Sequence, residues 1–241
     1  MASPQPERTA PALPPGVYLV PTPIGNLADI TLRALDTLRQ ADRIACEDTR
    51  HSLKLLTHYG IQRPLVSLHQ HNEHQRVDEL VRQVAQSGER LAVVTDAGTP
   101  GISDPGFLVA RAALAHQVHL EVLPGATALV PALLLSGLAA DRFAFEGFLP
   151  PKKGRQTRLQ ALATEHRTLV LYESPHRLVK TLGELAHHLG PERPAAVVRE
   201  LTKLHEECLR GSLAELATLL GARGEGGVKG ECVVVIAGLD A

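Results

Sequence analysis

The residues best placed to do chemistry lie in the run Val93 to Gly106, VVTDAGTPGISDPG, where an apolar stretch ends in the Asp96 carboxylate and opens into a loop rich in glycine and proline. Gly98, Gly101 and Gly106 let a backbone turn tightly and come close to a bound molecule, while Pro100 and Pro105 stiffen it. This layout suits ligand binding through main-chain groups; a plain strand-to-helix connection is the alternative, and the length of the loop argues against it. Glu47 and Asp48 directly follow the apolar run RIAC, where a carboxylate could accept a proton from a substrate. Asp48 also precedes Thr49 at a helix start, where a carboxylate is favourable with no catalysis at all. His69, His71 and His74 cluster with Glu73 in HQHNEH. Such a cluster could hold a metal, but a polar loop touching substrate is the preferred reading; no metal is expected, and His71 ranks behind the two carboxylates as proton acceptor. Lys152, Lys153, Arg155 and Arg158 form the densest basic patch, suited to nucleic-acid phosphates or else to a solvated linker. With only 3% aromatic residues, Phe143, Phe145, Phe148 and Tyr172 are the few side chains able to stack on a base.

These groups need a scaffold that gathers strand ends. Apolar runs at Gly16 to Pro21, Arg43 to Cys46, Pro64 to Leu68, Leu91 to Thr95 and Val118 to Leu123 alternate with helical patterns, which predicts a parallel α/β arrangement. In such sheets ligands bind at the carboxyl edge of the strands, which is where Glu47, Asp48 and Asp96 fall. The helices are expected from about Asp29 or Ile30, with Thr31 in the first turn; over Thr49 to Tyr59; around Val77, Leu80, Val81 and Val84; and over Phe107 to His116. Beyond a break at Pro124-Gly125 or Asp141-Arg142 the alternation is less regular. Strands are expected at Phe143 to Leu149, Thr168 to Tyr172, Ala195 to Leu201, Glu206 to Arg210 and Cys232 to Ala237. Helices are expected over Arg155 to His166 and Leu178 to Leu189, with another capped by Ser212. The domains are therefore a disordered tail over 1–15, an N-terminal α/β domain over 16–125 and a C-terminal α/β domain over 126–241.

Composition limits the rest. The chain has 241 residues, 44% of them hydrophobic, enough for one large core or two modest ones. No run approaches the roughly 20 apolar residues of a membrane span, and the first fifteen residues lack the apolar core of a signal peptide. Cys46, Cys208 and Cys232 are odd in number and widely spaced, which indicates neither a disulfide framework nor a cysteine zinc site and fits the cytoplasm. With 25 Lys and Arg against 26 Asp and Glu, no global field attracts nucleic acid, so any such contact must be local.

The ordered set VPTPIGNLADITLRAL, CEDTR, TDAGTPGISDPG, LPGATALVPALLLSGL, FEGFLP and YESPHRL resembles the ribosomal RNA small subunit methyltransferase I family, a branch of the tetrapyrrole methylases. The resemblance spans about Gly16 to Gly238. It implies a two-domain tetrapyrrole-methylase-like fold, with a parallel sheet in the N-terminal domain, a mixed sheet in the C-terminal domain and S-adenosylmethionine in the cleft between them. It further implies a homodimer and 2′-O-methylation of the ribose of a decoding-centre cytidine in 16S ribosomal RNA, within the 30S subunit. Gly98, Thr99 and Pro100 take the place of the superfamily's Gly-Asp-Pro turn. Asp96, Gly101, Ile102, Ser103, Thr127, Ala128, Glu173, Leu201 and Thr202 match other cofactor-lining places, and the basic residues Lys152, Lys153, Arg155 and Arg158 would meet RNA. The place of Glu47 and Asp48 resembles that of an acidic residue proposed as proton acceptor in tetrapyrrole methylases. Family members often carry a further helical C-terminal extension, so any RNA contact made by it is not expected here. The rival functions are methylation of a small tetrapyrrole and nucleotide binding without catalysis; the second would leave the two carboxylates unexplained.

Overall fold

The computed structural model describes residues 10–224 and 226–240, and only the backbone of residues 70–72, 74 and 75. It contains two compact units. Residues up to Pro23, together with Leu27–Ala126, form the first; Ile24–Asn26 and the chain from Thr127 onward form the second.

In the first unit, strands β1 (Gly16–Leu19), β2 (Arg43–Cys46), β3 (Leu65–Ser67), β4 (Arg90–Val93) and β5 (Leu120–Val122) make a sheet in the order β3-β2-β4-β1-β5. Every pairing in it is parallel. Alternate residues of one strand feed opposite cores. Tyr18, Ile44 and Ala92 pack with Leu35 and Leu38 of α1 (Leu32–Gln40) and Leu56 of α2 (Thr49–His58). Val17, Leu19, Ala45, Leu91 and Val93 pack with Val77, Val81 and Val84 of α3 (Gln70–Ser87) and with Val109 and Ala113 of α4 (Phe107–Ala115). Burial on both faces is why these strands read as continuous apolar runs.

Three local expectations change. Thr31 is the N-cap of α1 rather than part of its first turn, its hydroxyl accepting from the Ala34 N–H. The segment from Gln70 to Arg76 is helix, not loop; its polar residues include good helix formers, and the apolar period that betrays a helix starts only at Val77. Of the tail expected to be disordered over 1–15, the described part is tied down. Gln40 accepts from the Leu13 N–H and donates to the Pro11 carbonyl, and the Tyr18 hydroxyl donates to the Pro14 carbonyl. The first nine residues lie outside the described ones.

The second unit holds β6 (Phe143–Phe148), β7 (Thr168–Glu173), β8 (Pro194–Arg199), β9 (Glu207–Ser212) and β10 (Cys232–Ile236), ordered β6-β7-β10-β8-β9. The sheet is mixed: β6 and β7 are parallel, and the other pairings are antiparallel. Leu169, Leu171, Val197 and Val234 pack beneath α6 (Arg155–Leu162), α7 (Pro175–Leu189) and α8 (Leu213–Gly221), the last opened by a capping box between Ser212 and Glu215. Helix α5 (Leu129–Ser136) was not expected from the sequence; its Pro131 falls in the first turn, where a missing N–H costs little. Among the described residues no helix is long and apolar enough to cross a membrane.

Candidate functional site

The loops that leave β1, β4 and β5 are laced together at one edge of the first sheet. Thr22 and Gly98 exchange two backbone hydrogen bonds, of 2.9 and 3.0 Å, and the buried Thr22 hydroxyl donates to the Thr95 carbonyl. The Thr99 hydroxyl donates to the Ala126 carbonyl at 2.9 Å. Gly125 lies so close to Pro21 that a Cβ would sit 2.4 Å from the proline ring. Gly98 and Gly101 have φ of 85° and 87°, which is the conformational reason for glycine at both. The bridge to Thr22 engages both main-chain polar groups of Gly98. Ser103 has φ of 65°, a left-handed backbone that costs a non-glycine residue free energy and tends to occur at ligand sites. Buried Glu73 steadies the far end of the loop by accepting the Gly106 N–H at 3.0 Å. The sequence marked Glu73 only as a companion of the histidines, and gave no sign of the Thr22 hydroxyl contact or the close fit of Gly125, since each acts across a large sequence separation.

At the carboxyl end of β2 the two carboxylates separate in character. Asp48 caps α2, accepting from the Arg50 N–H, and is paired with the Arg50 guanidinium. The Arg50 side-chain hydrogen bonds, then the Arg50 N–H, hold its pKa down at about 2. Burial, followed by the negative charge of Asp96, pushes Glu47 above the usual carboxylate range; His69 pulls the other way, and Asp48 adds a smaller push upward. Asp96 joins the two strand ends, accepting the Asp48 N–H at 3.2 Å. Asp48 is thus spent on capping α2 and pairing with Arg50, whereas Glu47 has a raised proton affinity. The side chains of His71 and His74 lie outside the described residues, and among the described residues no group of His, Cys, Asp and Glu is arranged to hold a metal.

In the second unit the chain turns sharply after β8. Strand pairing ends at Arg199, short of the expected Leu201, because Glu200 and Thr202 are left-handed, with φ of 53° and 64°. Thr202 accepts the Asn26 N–H through its hydroxyl at 3.1 Å. Gly25 is pressed against this turn; a Cβ there would lie 2.5 Å from Lys203 and 3.0 Å from the Leu201 carbonyl. Thr127 is half-buried and Ala128 is the N-cap of α5, with no side-chain capping bond. Glu173 is buried and its carboxylate is spent inside its own unit, on the Ser174 N–H, the Arg177 guanidinium and the Thr181 hydroxyl.

The basic patch divides as well. Lys152 and Lys153 are exposed. Arg158 is half-exposed and paired with Glu146. Arg155 must be removed from the expected RNA contacts: it is buried, and its guanidinium is committed to Glu184, Thr181 and the Pro150 carbonyl.

Residues 16–217 match the family of tetrapyrrole (corrin/porphyrin) methylases. A protein of Synechocystis sp. called ribosomal RNA small subunit methyltransferase I is 52% identical over 223 residues, covering 92% of this chain and 78% of that one. The chain belongs to the ribosomal RNA small subunit methyltransferase I family. A second member, from Pasteurella multocida, is 49% identical and covers 92% of this chain and 79% of its own. The fold of this methyltransferase family is shared with uroporphyrin-III C-methyltransferase from Thermus thermophilus, solved with S-adenyl homocysteine. It is 24% identical, with a TM-score of 0.65, covering 93% of this chain and 98% of that one.

Proposed function

We propose that this chain methylates the ribose 2′-hydroxyl of a decoding-centre cytidine in 16S ribosomal RNA, using S-adenosylmethionine. The observation that carries the reading is the identity of about half the residues, over 92% of the chain, with proteins named for methylation of small-subunit ribosomal RNA. The residues fit the cofactor. Asp96 to Gly106 contains two carboxylates and no cation, which suits a ligand bearing a sulfonium and an ammonium rather than phosphates. When bound, S-adenosylmethionine supplies an electrophilic methyl group. In the first unit, Gly98, Gly101, Ile102 and Ser103 are the residues we assign to it. Glu47 takes the proton from the attacking hydroxyl, and Asp96 holds the β2 and β4 ends in register for that task. We read the setting as the cytoplasm, with a homodimer acting on the 30S subunit; free, buried Cys46 and Cys232 are in keeping with a reducing compartment.

Incubation with S-adenosylmethionine labelled in the methyl group, and with 30S subunits, free 16S RNA or a tetrapyrrole precursor, tests the reading. Label is expected in the RNA of the first or second mixture, on a ribose oxygen of a cytidine. Label only in the tetrapyrrole would overturn it.

A further inference from the structure

A groove of about 500 Å³ opens on the second unit between edge strand β6, the following loop and α6, lined in part by Phe148, Pro150, Thr157 and Arg158. Its aromatic wall arises from a backbone irregularity. Phe145 pairs with Val170 of β7, but the next pair is Gly147 with Leu171, so Glu146 is an extra residue in a bulge, and Gly147 takes φ of 60°. Because side chains alternate along a strand, one inserted residue moves everything after it to the other face. The bulge therefore brings Phe148 to the same face as Phe145 and Tyr172. Tyr172 meets both rings edge-on, at centroid distances of 5.0 Å to Phe145 and 5.8 Å to Phe148. Phe148 is held by that contact yet remains 51% exposed.

The surroundings select the ligand. No acidic residue occurs between Gly147 and Thr164, and the rim carries the exposed Lys152 and Lys153. At the wall, the Arg158–Glu146 pair presents donors and acceptors side by side. An aromatic face, a polar edge reader and flanking cations together match an unstacked nucleotide. We propose that this groove holds one nucleobase of single-stranded RNA against Phe148, with the neighbouring phosphates on Lys152 and Lys153. The proposal rests on the RNA reading above and adds a subsite to it.

The test is titration of fluorescently labelled 16S RNA with the full chain, with S-adenosylhomocysteine binding by calorimetry as a separate readout. Phe148→Ala and Phe148→Leu should each weaken RNA binding roughly 5- to 150-fold, the range for losing one stacked base. Phe148→Tyr should bind as the wild type does, and S-adenosylhomocysteine affinity should hold in all three. Replacing Lys152 and Lys153 with Gln should lower the magnitude of the log-log salt slope by about 1.4, or about 0.7 per lost phosphate contact. If Phe148→Leu binds RNA like the wild type, the ring supplies bulk rather than a stacking face and the subsite is wrong. A wild-type protein that binds S-adenosylhomocysteine but no RNA would instead overturn the substrate reading, and the subsite with it.

Discussion

At the residue scale, two adjacent carboxylates of like chemistry are made different by their surroundings. Asp48 faces Arg50 and the start of a helix, and with a pKa of about 2 it is a poor proton acceptor. Glu47 is half-buried and close to other negative charge, which raises its proton affinity. Glu47→Gln should therefore lower the single-turnover transfer rate by about 10²-fold or more, the scale of general-base assistance, while Asp48→Asn, which keeps a capping oxygen, should leave it near the wild-type value. The rate should rise with pH as Glu47 ionises, with its midpoint above the usual carboxylate range; a flat profile down to the range of an ordinary glutamate would refute the assignment. Glu173 makes a contrasting case. Its three internal partners imply that Glu173→Ala costs about 2 kcal/mol or more of stability by stranding them, to be read from urea unfolding.

At the scale of elements, the sharp turns hold the proposed site together. Gly101→Ala places a Cβ 3.3 Å from the Phe107 N–H on a backbone with φ of 87°. It should destabilise by about 1 kcal/mol through conformation alone and weaken cofactor binding, measurable by calorimetry. In the second unit, Glu207 of β9 joins Arg223, beyond α8, to Arg199 of β8. Its pKa falls from 4.5 to about 2, chiefly through the Arg223 hydrogen bonds and then those of Arg199. A depressed folded-state value means stability that is present above the unfolded value and lost as pH falls from about 4.5 towards 2. Arg223→Gln should flatten the loss of stability over that window in denaturation curves; an unchanged profile would show the pairing to be without weight.

For the molecule as a whole, a ligand that binds only the folded chain must stabilise it by mass action. S-adenosylhomocysteine at about 100 times its dissociation constant should add about 2.7 kcal/mol, seen as a raised unfolding midpoint. Gly98→Val and Gly101→Val should unfold in one cooperative step, at a lower midpoint than the wild type, and show no rise with ligand. A full rise in both variants would place the cofactor elsewhere.

Much was settled by local pattern. The inner strands β1, β2 and β4 read as apolar runs because they are buried on both sides, and the three carboxylates Glu47, Asp48 and Asp96 were assigned to strand ends because those runs stop beside them. The order of the motifs carried the family. What required the tertiary structure was every property set by a distant neighbour. Arg155 and Lys153 are both cations of one short basic segment, yet Arg155 is inside because Glu184 and Thr181, from the next helix, supply its partners. Helix α3 begins seven residues before its apolar period, at polar positions where no periodicity marks the helix. The exchange of Ile24–Asn26 into the second unit depends on Gly25 meeting a turn at Leu201, and no local pattern reports a contact across that separation. Periodicity records which face of an element is dry; only packing decides which charged groups are spent on the fold and which remain for chemistry.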